Sequence, residues 1–184
     1  MPRVDRSEIL DFVTYTERRP QLRPAILEQK RIRRIVLGPI TLLVENHDTV
    51  YYQVQEMMRV EHIVREKDIA HELHTYNELL GKPGELGASL LIALTEDVRD
   101  AKLRAWLGLL PTLYFELPDG SRVPPTWDAR QVGDDRLSSV QYLKFDLGGV
   151  TPVAFGCSFE DPDIQGRVAL TEEQRMALQA DLAR

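Results

Sequence analysis

Hydrophobic positions along the chain change period several times, and each change marks a predicted element. Ser7–Thr16 has the pattern of a short helix. Pro24 suits the first turn of a second helix running to about Arg34, because that turn has spare amide donors and a proline removes one at no loss. Over Ile35–Glu45, Ile40, Leu42 and Val44 alternate with Thr41 and Leu43, the period of a strand, and Gly38-Pro39 predicts a bend or bulge near its start. Asn46 and Asp48 can accept hydrogen bonds from the free amides of a following helix at about Thr49–Glu66. A further helix, Asp68–Leu80, meets the stop signals Gly81 and Pro83. Ala88–Thr95 reads as a strand, and Glu96–Leu107 as a helix ending near Gly108.

The second half alternates more strictly. Leu113–Leu117 predicts a strand, Pro118-Asp119-Gly120 a turn, and Arg122–Thr126 a short edge strand limited by Pro124-Pro125. Asp128–Leu137 is polar and reads as a loop. Ser139–Leu147 places Leu143, Phe145 and Leu147 on one strand face, and Val153, Phe155, Cys157 and Phe159 line another. Thr171-Glu172-Glu173-Gln174 forms a capping box for a last helix reaching about Ala183. Helices and strands that do not alternate regularly predict an α+β fold, a mostly antiparallel sheet with helices packed on one face, in a single domain over residues 1–184.

Composition narrows the function classes. Of 184 residues, 43% are apolar and 28% charged, enough to bury a core without staples. No apolar run approaches the ~20 residues that cross a bilayer, and the N-terminal residues lack an apolar signal core, so a cytoplasmic compartment is expected. The single cysteine, Cys157, excludes an internal disulfide framework and a thiolate-rich zinc site; between two phenylalanines it reads as a small core hydrophobe. A net charge of −6 argues against nucleic acid as a partner.

The charge is uneven, with Arg18, Arg19, Arg23, Lys30, Arg31, Arg33 and Arg34 clustered against only Glu17 and Glu28. Such a block can meet an anionic ligand, an RNA or an acidic partner. A solvated helix face that pairs with the protein's own carboxylates fits better, because Ile26, Leu27 and Ile32 interrupt it as a packing face would. No nucleophile elbow, phosphate-binding loop or dinucleotide fingerprint is present.

The predicted helix Thr49–Glu66 carries the most chemistry. At helical spacing Val50, Val54, Met57 and Val64 form an apolar stripe with Glu61 in its middle, a carboxylate that must be paired, hydrogen-bonded or protonated. Glu56 lies on a flank, and Tyr52, Gln55, Arg59 and His62 form the most polar face. On the next helix Glu72 sits beside a stripe of Ile69, Leu73, Tyr76 and Leu80, with His71 and His74 pointing away. Packed as a hairpin, the two helices could bring Glu56 or Glu61 towards Glu72. Carboxylates from neighbouring helices are how helical di-metal sites are built, so Glu56, Glu61 and Glu72 are candidate ligands for iron, manganese or zinc. The absence of any Glu-x-x-His pair on these helices weighs against it.

Leu37-Gly38-Pro39 through Thr41–Asn46, then Thr49–Glu61 with its Gln53-x-Gln55-Glu56-Met57-x-Arg59-x-Glu61 stretch, Glu72 with Tyr76-Asn77, and the Val140–Leu147 strand carry a resemblance. The sequence is similar, over nearly its whole length, to an uncharacterised bacterial family catalogued as domain of unknown function 3501. Asp128–Leu137 is the least family-like segment. Genes of that family lie near rubrerythrin-like and iron–sulfur oxidoreductase proteins. The resemblance therefore implies an accessory role in redox or oxidative-stress physiology, with a redox protein as partner.

Gln55, Glu56, Arg59, Glu61, Glu72 and Asn77 form the candidate pocket on this reading. Three roles stay open for it: a binding pocket for a ligand or partner, a metal or acid–base site of an enzyme, and a polar network that only fixes helix packing.

Overall fold

In the computed structural model, which describes residues 2–183, the chain's first reversal is tighter than a bend. Gly38 takes φ +54° and turns Arg34–Leu37 (β1) directly back into Ile40–Val44 (β2). A Cβ there would stand 2.1 Å from the Asp163 carbonyl oxygen, so both torsion and space demand glycine. The single strand expected over Ile35–Glu45 is thus a hairpin.

Six more strands follow: Glu85–Ile92 (β3), Leu113–Glu116 (β4), Arg122–Val123 (β5), Val140–Asp146 (β6), Ala154–Cys157 (β7) and Gly166–Ala169 (β8). They form two four-stranded sheets, ordered β1-β2-β3-β6 and β5-β4-β7-β8, with every pair antiparallel. The class is α+β, as the pattern predicts, with the strands divided between two sheets.

Alternation decides what lies between the sheets. Leu42, Val44, Leu90, Leu143 and Phe145 from the first and Leu113, Phe115, Phe155 and Cys157 from the second belong to one buried cluster. The Phe115 ring meets Phe145 at 4.7 Å and Phe155 at 5.6 Å, both edge-on.

The helices are Phe12–Ile32 (α1), His47–Val60 (α2), Glu66–Asn77 (α3), Glu96–Ala105 (α4) and Glu172–Leu182 (α5). Asp11 caps α1 through the Val13 and Thr14 amides, Asn46 caps α2 through Thr49, and Thr171 caps α5 through Gln174. Two separate helices were expected over Ser7–Arg34. Instead Arg6–Glu8 is one 3₁₀ turn and α1 runs unbroken through Pro20 and Pro24. Both prolines are exposed and, four residues apart, share a face, so the bonds they remove lie on the solvent side.

A second core joins Val4 and Ile9 of the N-terminal segment to Val50, Val54 and Met58 of α2 and to Ile69 and Leu73 of α3. The turn after α3 lies close against the first sheet: a Cβ on Gly87 of β3 would meet the Leu79 carbonyl oxygen at 1.7 Å. The α2 stripe expected to contain Glu61 does not form. The helix stops at Val60, Glu61 is its exposed C-cap, and His62 leaves with φ +53°. Val64 is therefore exposed as well.

Candidate functional site

The motif residues go to several places. Glu56 sits under α1, with 17% of its side-chain surface exposed. Its Oε1 accepts from the Tyr15 hydroxyl at 2.7 Å and from Arg19 Nε at 2.7 Å; its Oε2 accepts from Arg19 Nη2 at 2.9 Å. Arg59 approaches at 3.5 Å, and its own Nε is buried without a hydrogen-bond partner. Burial opposes the charge on Glu56, but the bonds from Arg19 and Tyr15 and the two guanidinium charges outweigh it and hold the carboxyl down at about 2. Burial and the same carboxylate push the Tyr15 phenol well above its ordinary value.

Gln55 and Asn77 act as imitation peptides. Gln55 Oε1 accepts from the Leu10 amide at 2.7 Å while its Nε2 donates to the Leu10 carbonyl. Asn77 Oδ1 accepts from the Val4 amide at 2.8 Å and its Nδ2 donates to the Val4 carbonyl at 3.0 Å. Together they fasten the N-terminal segment over α2 and α3. Glu61 is exposed at the end of α2, and Glu72 is half-buried on α3. Among the described residues, no three His, Cys, Asp or Glu side chains converge as a metal site would require. Glu56, Glu61 and Glu72 do not form the three-carboxylate group that helical spacing suggested.

Deeper along the same seam is a carboxylate that periodicity did not single out. Glu45 is buried at the end of β2 and accepts from the Ser89 hydroxyl at 2.6 Å and the Thr49 hydroxyl at 2.5 Å. Lys30 of α1 lies over the Tyr52 ring, 4.9 Å from its centroid. Burial lowers its ammonium pKa against the pull of Glu45.

Ser89 pairs across the strands with Tyr142 of β6, and here the surface turns concave. A cleft of about 590 Å³ opens between the end of α3, β6 and the Thr126–Gln131 loop. Tyr76, Trp127 and Tyr142 line it, with Lys144, Arg130 and Asp128. Trp127 packs on the core between the sheets and Tyr76 on the helical core, so the cleft lies where the two cores part. Tyr142 projects from the opposite side of β6 to Leu143 and Phe145 and stays 46% exposed.

The loop wall is fixed. Thr126 and Lys144 exchange two backbone bonds of 2.8 and 2.9 Å. The Gln131 side chain bonds the Tyr142 carbonyl at 2.8 Å and amide at 2.7 Å. Sequence reasoning missed this cleft. Its one local signal is Tyr142, an aromatic ring on the exposed side of β6.

Known proteins add fold and family. The family model described as "Protein of unknown function (DUF3501)" matches residues 3–182. The chain belongs to this family. This DUF3501 member is also similar to a solved structure from Burkholderia pseudomallei K96243, described as a novel protein of unknown function. That likeness has TM-score 0.88 and 26% identity, covering 98% of this chain and 100% of the other. No curated protein matches it. No helix among the described residues of this DUF3501 chain is long and apolar enough to cross a membrane.

Proposed function

We propose that the chain is a cytoplasmic accessory protein of a redox or oxidative-stress pathway that holds a ligand in the Tyr76–Trp127–Tyr142 cleft and works beside a redox protein partner. The observation that carries this reading is the cleft itself. Three aromatic side chains from three elements face one space of about 590 Å³, walled by a loop already bonded to its strand.

Catalysis at the motif is less well supported. A carboxylate held at about 2 and bonded through both oxygens is a weak general base near neutral pH. Gln55, Glu56 and Asn77 read better as the network that fixes α1 and the N-terminal segment to α2 and α3, of which α3 borders the cleft. The redox setting is drawn from the family resemblance.

The test is native mass spectrometry and elemental analysis of untagged protein, purified from its own host without chelator or oxygen. A co-purified small molecule that Tyr142→Ala abolishes is the expected result. Near-stoichiometric iron, manganese or zinc that Glu56→Gln abolishes would replace this reading with a metal-dependent enzyme.

A further inference from the structure

We infer that the cleft recognises a planar aromatic ring system carrying an anionic group, with the rings of Tyr76, Trp127 and Tyr142 taking the ring and Lys144 and Arg130 the charge. This rests on the cleft being the binding site and names its ligand class. Ring recognition follows from what the cleft exposes. Aromatic side chains present flat apolar faces that stack on another ring, and a half-exposed Tyr142 beside Trp127 leaves such faces uncovered. One hydrogen-bonding side chain of the wall is already spent. Both amide atoms of Gln131, the carboxamide on the cleft wall, are committed to the Tyr142 backbone.

Charge recognition follows from two cations. Lys144 is half-buried on the cleft floor and spends one donor on the Leu80 carbonyl at 2.5 Å. Its nearest carboxylate, Glu85, stands off at 3.9 Å, so its charge is only partly met. Arg130 stands at the mouth with 89% of its side chain exposed, hydrogen-bonded to Asp128 two residues away and within the field of Glu78, the other carboxylate of the lining; the Asp128 pair is open, so water screens it and an incoming anion can share it. The volume lies in the ~300–1,000 Å³ range of sites for small organic ligands, larger than a lone inorganic anion needs.

Flavin and purine nucleotides share this chemistry, and calorimetric titration of the full chain separates them. The probes are flavin mononucleotide, adenosine 5′-monophosphate, their unphosphorylated nucleosides riboflavin and adenosine, and inorganic phosphate. The expected result is binding of at least one of the two nucleotides. Its nucleoside should bind about tenfold more weakly and phosphate alone should give no heat, since tenfold is the scale of one modest charge contact. Tyr142→Ala and Arg130→Gln, both at exposed side chains, should each weaken the nucleotide about tenfold with melting unchanged; Lys144→Gln is the third variant.

Equal binding of nucleotide and nucleoside would overturn the anionic half of the assignment. If neither nucleotide binds below about 1 mM while a co-purified ligand is still lost in Tyr142→Ala, the class is wrong and the cleft stands. If a nucleotide binds but all three variants bind it like the parent, the cleft reading fails along with the class.

Discussion

Tyr15 and Glu56 meet across the α1–α2 interface at 2.7 Å, the buried phenol donating to the carboxylate. Among the described residues of α1, Tyr15 is the only one fully buried, so its contact with Glu56 and the adjacent Arg19 fork are a main fastening of the helix. The folded-state pKa of Glu56 lies below its unfolded value, so the stabilisation is present above about 4.5 and is lost as pH falls towards about 2. Glu56→Gln should cost ~2–3 kcal/mol in urea denaturation at pH 7. The gap between parent and variant should close as the pH is lowered through that window. Glu61→Gln, at an exposed C-cap, should stay within ~0.5 kcal/mol of the parent throughout.

Gln55 and Asn77 each substitute for a peptide group, and each holds one point of the N-terminal segment. Gln55→Ala or Asn77→Ala leaves a buried amide and carbonyl without their partner, a cost of ~1–3 kcal/mol. Hydrogen exchange should accelerate at Leu10 in the first variant and at Val4 in the second, with β3 and β6 unchanged. Uniform acceleration across the chain would show that the segment is part of the global unfolding unit instead.

Arg33, just past α1, and Asp181 of α5 form the most buried ion pair described, with side chains 6% and 1% exposed and contacts of 2.7 and 3.0 Å. Removing one partner strands the other charge. Asp181→Ala should cost ~3–5 kcal/mol, whereas Arg33→Met combined with Asp181→Leu should recover most of that loss. Thermal denaturation of the two single variants and the double variant measures the coupling.

Gly87 lets the chain after α3 lie on β3. Gly87→Ala places a methyl group inside the Leu79 carbonyl and forces α3 outward. The variant should lose at least ~2 kcal/mol of stability, in the range of overpacked core substitutions. Because Tyr76 rides on α3 while Tyr142 stays on β6, Trp127 fluorescence at the cleft should change even where the variant remains folded.

Some of the local physics was readable in the sequence. Asn46 and Thr171 show their capping roles in sequence because a cap needs only the three residues beside it. The alternation of Leu143, Phe145 and Leu147 fixed which side of β6 is core. Three features were not readable, each for a stated reason. β8 has four residues in a half-exposed pattern, too short to show a period. The stop of α2 at Val60 carries no glycine or proline, and that missing signal carried the apolar stripe one turn too far, onto Glu61. The polar bonds of the motif, and the cleft, depend on distant pairings. Gln55 with Leu10 and Asn77 with Val4 are 45 and 73 residues apart, and residues 76, 127 and 142 come from a helix, a loop and a strand that only the tertiary fold brings together.

The 21-residue α1 buries Tyr15, half-buries Phe12, Leu22, Ile26 and Ile32, and is also tied to the molecule by charge, through Arg19, through Arg31 to Glu173, and through Arg33 just beyond its end. Salt acts unequally on these ties. The Debye length shrinks from about 10 Å at 0.1 M to about 3 Å at 1 M, which screens the exposed Arg31–Glu173 pair and leaves the more buried Glu56 and Asp181 pairs largely intact. Concentrated electrolyte should therefore release the contact of α1 with the start of α5 while its grip on α2 persists.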